Sequence, residues 1–234
     1  MKKIVFGLLM FLVINSVNAK NIKTYNNLEI EEKKYDALIK IYGDNFINYM
    51  TEDEYNLIKD TQLTNAYKVT YDESVSNSFI PFSSYGTDYK LISLVNNNNV
   101  ITVSLKWKRN PKVRSYDIFG VRFLGVTLSS NVYFRQNYTD NGVKYDTNSV
   151  LKKFGTGFGE SFLLSNKNNL ESYITFSVNG TGTIFATYQH AISSISLNDS
   201  VNYTISPNGL GRVLLFNNVI SKKYDQMPGV NIDV

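Results

Sequence analysis

The amino-acid sequence predicts a mainly β protein: an antiparallel β-sandwich, of jelly-roll or Ig-like type, preceded by a small N-terminal helical hairpin. Three observations carry that expectation. From Leu63 onward β-branched and aromatic residues recur in short runs at a two-residue alternation, the period at which successive side chains point to opposite faces of a sheet. The runs are separated at regular intervals by Asn, Gly, Ser and Asp, which suit turns. No alternation of strand-like and helix-like segments supports a parallel sheet, and helical periodicity is confined to the stretch before Leu63.

In chain order, Lys2 and Lys3 precede the apolar run Ile4 to Ile14, "IVFGLLMFLVI", which leads to the small-residue site Val17-Asn18-Ala19. That is the order of a secretory signal peptide, with an apolar core too short to span a bilayer of about 30 Å. Cleavage after Ala19 is expected, giving a secreted or cell-surface chain that begins at Lys20. Nothing downstream is long and apolar enough for a membrane helix. The division expected is therefore 1–19 signal peptide, 20–62 helical segment and 63–234 sandwich.

Within the helical segment, Tyr35, Leu38, Ile39 and Tyr42 fall on one stripe of an amphipathic helix, and Gly43 is suited to end it. A helical turn is expected over Asn45 to Tyr49. Thr51 and Glu54 have capping-box spacing, with Met50 and Tyr55 placed as a hydrophobic staple, so a further helix should run from Glu52 to Lys59.

Strands are expected over Ala66 to Tyr71 and in the hairpin "YKLISLVNNNNVITVSLKW", which turns at Asn96 to Asn99. Further strands are expected over Val113 to Leu124, Thr127 to Arg135 and Gly159 to Leu164. A second hairpin, "YITFSVNGTGTIFATYQ", has Asn179-Gly180 at the expected turn, because both residues tolerate positive φ. The last strands should lie over Val213 to Val219 and Val230 to Val234. Gly155, Gly157 and Gly159 lack phosphate-loop spacing and read as a bulge or a close approach of another backbone.

The basic stretch Lys106 to Arg114, "KWKRNPKVR", supplies the candidate ligand-binding residues. Alternation puts Trp107 on the buried face with Ile101, Val103 and Leu105, and puts Lys106 and Lys108 on the outer face; Asn110-Pro111 breaks the strand. Beyond the turn, Arg114, Tyr116 and Arg122 share the polar face. Lys106, Lys108, Arg109, Lys112, Arg114, Tyr116 and Arg122 therefore form the candidate patch for an anionic ligand, the alternative being a solvated row guarding a strand edge.

Composition excludes several chemistries. With no cysteine, disulfides, thiolate catalysis and thiolate metal sites are ruled out. His190 is the single histidine and shares a strand face with Ile184, Ala186 and Tyr188, which reads as a hydrogen-bonded residue at the end of the core. Neither a G-x-S-x-G elbow nor a calcium loop occurs. Asp117, shortly after Arg114, reads as an ion-pair partner or turn cap. The formal charge of +4 falls to +2 without Lys2 and Lys3, which does not argue for nucleic acid. Abundant Asn, Lys, Ile and Tyr fit an AT-rich bacterial genome.

No catalytic residue, metal or cofactor is singled out. The leading expectation is an exported, non-enzymatic protein that binds a glycan, a cell-envelope polymer or a surface protein. Its rival is a secreted carboxylate-dependent, glycosidase-like hydrolase, which should present a cleft lined by two acids. A pore-forming toxin is the third reading, disfavoured because Arg135 interrupts Thr127 to Tyr138, the segment that would have to become a membrane hairpin.

Overall fold

A computed structural model describes residues 20–72, 90–138, 142–144, 149–207 and 213–234. The expected signal peptide lies outside the described residues. The described residues start with a short hairpin, β1 (Asn21–Lys23) and β2 (Glu29–Glu31), and three helices, α1 (Glu32–Tyr42), α2 (Asp44–Tyr49) and α3 (Glu52–Ile58). Gly43 separates α1 from α2 at φ 92°. The Thr51 side chain accepts from Glu54 N while Glu54 accepts from Thr51 N, the reciprocal capping box read from the sequence.

The strands that follow are β3 (Tyr67–Asp72), β4 (Lys90–Asn97), β5 (Val100–Trp107), β6 (Tyr116–Leu128), β7 (Tyr133–Tyr138), β8 (Gly142–Lys144), β9 (Val150–Phe154), β10 (Gly157–Leu163) and β11 (Glu171–Ala191). After them come α4 (Leu197–Ser200), β12 (Tyr203–Ile205), β13 (Leu214–Phe216), α5 (Asn218–Ser221), β14 (Tyr224–Gln226) and β15 (Val230–Asp233). All the pairings described are antiparallel, and the architecture is a β-sandwich. One layer runs β3-β4-β5-β11-β7-β8; the other runs β9-β10-β6-β11, with β14 and β15 on the far side of β11.

The layers share β11. Its first part, Glu171 to Ser177, pairs with β5 on one flank, and Glu171 to Thr175 with β7 on the other; from Val178 to Gln189 it pairs with β6. The expected reversal at Asn179-Gly180 is therefore corrected to a bend within one long strand. Both flanks of the bend are already occupied: Gly180 pairs with Val126, and Gly182 exchanges backbone hydrogen bonds with Val234. The register slips between Gly180 and Thr183, Gly125 and Gly180 adopt φ of +80° and +102°, and a Cβ on Gly182 would stand 2.0 Å from Leu124 O. A dipeptide that could reverse the chain supplies a bulge instead.

Other expected boundaries shift as well. The strand placed at Val113 begins at Tyr116 and continues through Gly125 to Leu128. The strand placed over Val213 to Val219 stops at Phe216, where Asn217 caps α5 by accepting from Val219 N and Ile220 N. Gly157 and Gly159 do admit close approach: a Cβ on the first would meet Val121 O at 2.1 Å, and on the second the Tyr203 hydroxyl at 2.3 Å.

The main core fills the space between the layers, with Ile92, Val103, Trp107, Phe119, Phe158, Phe176 and Ile184 among its buried members. A second cluster, including Ile118, Ile195, Tyr203 and Leu214, covers the outer face of the β6-β10 layer. The third joins the helices to the outer face of the β4-β5-β11 layer through Phe46, Ile47, Met50, Ile58, Val95, Val100 and Tyr173. Each large apolar side chain buried there contributes about 1.5–3 kcal/mol, so the helical segment is packed onto the sandwich through an apolar contact.

Candidate functional site

On the outer face of the β3-β4-β5-β11-β7 layer, register aligns rows of side chains. One row runs Thr70, Ser93, Ser104, Tyr173, Arg135; the next runs Asp72, Leu91, Lys106, Glu171, Asn137. Where the helices cover this face it is apolar, at Val95 and Val100. Beyond the α1–α2 junction it turns polar, at Ser93, Ser104 and Lys106, of which Ser104 is half-buried and Lys106 exposed.

The change leaves a trough of about 430 Å³ between the junction and the sheet. Tyr42, Gly43, Asp44 and Asn45 form one wall, Ser93, Ser104 and Leu105 lie along the sheet side, and Lys68, Lys106, Glu171 and Tyr173 complete the lining. Past Lys106 and Glu171 it continues into a depression bounded by Asn45, Trp107, Lys108 and Asn169. Its charges are mostly answered within the protein. Lys106 Nζ lies 2.9 Å from Glu171 Oε1, the Tyr173 hydroxyl donates to Glu171 Oε2, and Lys108 pairs with Asp72. Ser93 and Thr70 share a hydroxyl contact at 3.2 Å, and Asp44 Oδ1 accepts from Asn48.

Of the seven candidate residues, Lys106 and Lys108 line this trough and its extension. Arg109 and Lys112 are exposed between β5 and β6. Arg114 donates to Ser165 O at 2.8 Å, and Tyr116 is half-buried against the cluster on the outer face of the other layer. Arg122, expected to face water, is buried, with its guanidinium carbon 4.1 Å from the Phe185 ring centre. Burial lowers its pKa from the usual arginine value. It sits on the same face of β6 as Ile118 and Gly120, where Leu214 and its neighbours form a cover, so alternation placed it away from the main core without revealing that this face is covered. Asp44, Asn45 and Lys68 had no sequence signal, because docking of the helices brings the first two to Ser104 and pairing of β3 with β4 brings the third.

Several buried ionisable groups tie the elements together. Arg135 Nε donates to both Glu54 oxygens, at 3.0 and 2.9 Å, while its other nitrogens donate to Asn137 Oδ1 and Phe46 O. Its guanidinium lies 4.6 Å from the ring centres of both Phe46 and Tyr173. At one end of the main core, Lys90 Nζ stands 2.5 Å from Asp225 Oδ2 and 5.4 Å from the Trp107 ring. Trp107 packs edge-on against His190. Asp117, read as a partner of Arg114 or a turn cap, instead accepts from the Tyr188 hydroxyl, from His190 Nδ1 at 2.9 Å and from Ala191 N at 2.8 Å. That geometry assigns the imidazole proton facing Asp117 to Nδ1. His190 is thus a hydrogen-bonded residue at the end of the core, as its strand position implied.

A separate cleft of about 340 Å³ gathers Asp53, Glu54 and Glu160 with Thr51, Tyr133 and Ser149. Glu54 is committed to Arg135 and Thr51 N. Among the described residues no group of His, Asp and Glu is arranged to hold a metal ion, and no helix is long and apolar enough to cross a membrane. The segment Thr127 to Tyr138 is divided between β6 and β7, with Arg135 locked to Glu54.

No family model and no curated protein sequence matches the chain. Among solved structures, the collagen-binding domain from a Staphylococcus aureus adhesin is similar at a TM-score of 0.31 and 8% identity, over 58% of this chain and 87% of that one. A likeness of that extent assigns neither a family nor a ligand.

The buried tyrosines set an alkaline limit on the fold. Burial pushes Tyr42 up to about 12, and burial with the neighbouring Glu171 or Asp117 carboxylate raises Tyr173 and Tyr188 well above the usual value of 10. Tyr203 and Tyr224 are raised by burial too. A folded-state pKa above the unfolded one means that the neutral form is favoured by folding. The stabilisation is complete below about pH 10 and is lost as pH rises through the folded values. Tyrosinate absorbance and far-ultraviolet circular dichroism should therefore change together above about pH 10. Full tyrosine titration with unaltered dichroism would contradict this burial.

Proposed function

We propose that this chain is an exported, non-enzymatic binding protein that takes a glycan, a cell-envelope polymer or a protein partner at the cell surface or outside the cell. The observation that carries the reading is the trough beside the α1–α2 junction. It is open, polar and walled by the helices and the sheet, which a buried core holds together, the combination a preformed recognition site requires. The single histidine lies in the core rather than at a cleft, which favours binding over acid–base chemistry. The hydrolase reading would draw on the smaller cleft that gathers Asp53, Glu54 and Glu160, where Glu54 is already held by Arg135.

Retention of the purified protein on intact bacterial cells and isolated envelope tests the proposal. Ser104→Trp, which fills the trough floor, and Asn45→Trp, at an exposed position on its wall, should each lower retention at least tenfold while leaving the circular dichroism spectrum intact. Wild-type retention by both folded variants would remove the trough from consideration.

A further inference from the structure

The trough brings together three lysines, Lys68, Lys106 and Lys108, and their presence on one surface suggests an anionic ligand. The pairing says otherwise. Lys106 is held by Glu171 and Lys108 by Asp72, while Asp44 lies on the opposite wall from Lys68. Three cations thus face three carboxylates, and no cationic excess remains to repay the desolvation of a polyanion. An apolar ligand is equally poorly served, because the sheet side of the trough carries the hydroxyls of Ser93 and Ser104. The Ser104 hydroxyl and the Asn45 amide hold no hydrogen bond to another described residue. Only the Asn45 backbone carbonyl is engaged, by Asn137.

Resting on the binding role proposed above, we infer that the trough takes a neutral saccharide chain. Ser104 and Asn45 supply one hydroxyl and one amide that can each both donate and accept, as vicinal sugar hydroxyls require. The Lys106–Glu171 pair presents a donor beside an acceptor at the far end. Such a set matches a polyhydroxylated, uncharged chain laid between the walls. The same chemistry is offered by a free polysaccharide and by a protein-linked glycan.

The test is titration calorimetry of the full mature chain against four probes: a neutral β-glucan oligosaccharide, a high-mannose glycoprotein, that glycoprotein after enzymatic deglycosylation, and a polyol-phosphate polymer. Binding of a neutral glycan is expected, with Kd changing less than about twofold between about 0.1 and 1 M salt. Ser104→Val should weaken it about three- to tenfold, and Asn45→Ala likewise. Which neutral probe binds identifies the source, and loss on deglycosylation assigns the affinity to the sugar. Preference for the polyol phosphate with steep salt dependence overturns the inference but leaves the trough as a binding site. Binding to the deglycosylated protein, or to none of the four while cell retention stays sensitive to Ser104→Trp, overturns it in favour of a protein or other partner.

Discussion

Replacing Arg135 by methionine is expected to destabilise the fold by about 3–5 kcal/mol, a large part of an ordinary domain's total. Arg135 and Glu54 are each 1% exposed, and the arginine also packs against the rings of Phe46 and Tyr173. Removing it leaves the Glu54 carboxylate inside the protein without its cation, and leaves Asn137 Oδ1 and Phe46 O without a donor. The cost is that of an uncompensated charge, so Glu54→Gln added to Arg135→Met should recover much of it. Glutamine can still reach back to Thr51 N, which keeps the helix cap. Thermal melts of the two single variants and the double variant read the effect, with a fall in Tm on the order of 10 °C for Arg135→Met. A fall of equal size in the double variant would show that the loss comes from packing instead. Because Arg135 ties α2 and α3 to β7, binding at the trough should weaken with it.

Lys90→Met is the second large effect expected, again about 3–5 kcal/mol, because Asp225 is only 2% exposed and loses its cation. The site lies between β4 and β14 at one end of the main core, on the face of β4 turned away from the helices, and the lysine also lies against Trp107. Asp225→Asn should partly rescue Lys90→Met, and denaturant titration of the three variants measures the coupling directly. The Lys90 pair and the Arg135 pair share no partner, so their costs should add. Tryptophan emission offers a second readout, since Trp107 is the single tryptophan and moves from contact with an ammonium to contact with a thioether.

How legible each feature was follows how local its cause is. The capping box at Thr51 and Glu54 spans four residues, and the sequence was enough to place it. The β4–β5 turn was equally readable, because Asn98 and Asn99 adopt positive φ, which asparagine tolerates better than most residues. The Asn179-Gly180 pair has the same local signature and yet bends a continuous strand, since the backbones of β6 and the C-terminal Val234 occupy both its flanks. Arg122 follows the same logic. Alternation correctly put it on the face of β6 away from the main core, but β12, β13 and α5 cover that face.

The trough divides in the same way. Lys106 and Lys108 were assigned to an outer face from the period of β5 alone, and they line the trough and its extension. That Lys106 and Lys108 are neutralised depends on Glu171 and Asp72, which belong to other strands. The distance in sequence is 81 residues between Arg135 and Glu54 and 135 between Lys90 and Asp225, and no local pattern marks either pair.

The sequence by itself determined the antiparallel sandwich, the helices ahead of it and the inward face of the long strands β4, β5, β6 and β11, because backbone pleat and side-chain period are properties of a few adjacent residues. Tertiary structure alone decided which outward faces meet water, which cations keep an unanswered charge and where the helices stop to leave a trough. Those outcomes depend on segments far apart in the chain excluding solvent from one another, and burial of that kind has no signature within any single segment.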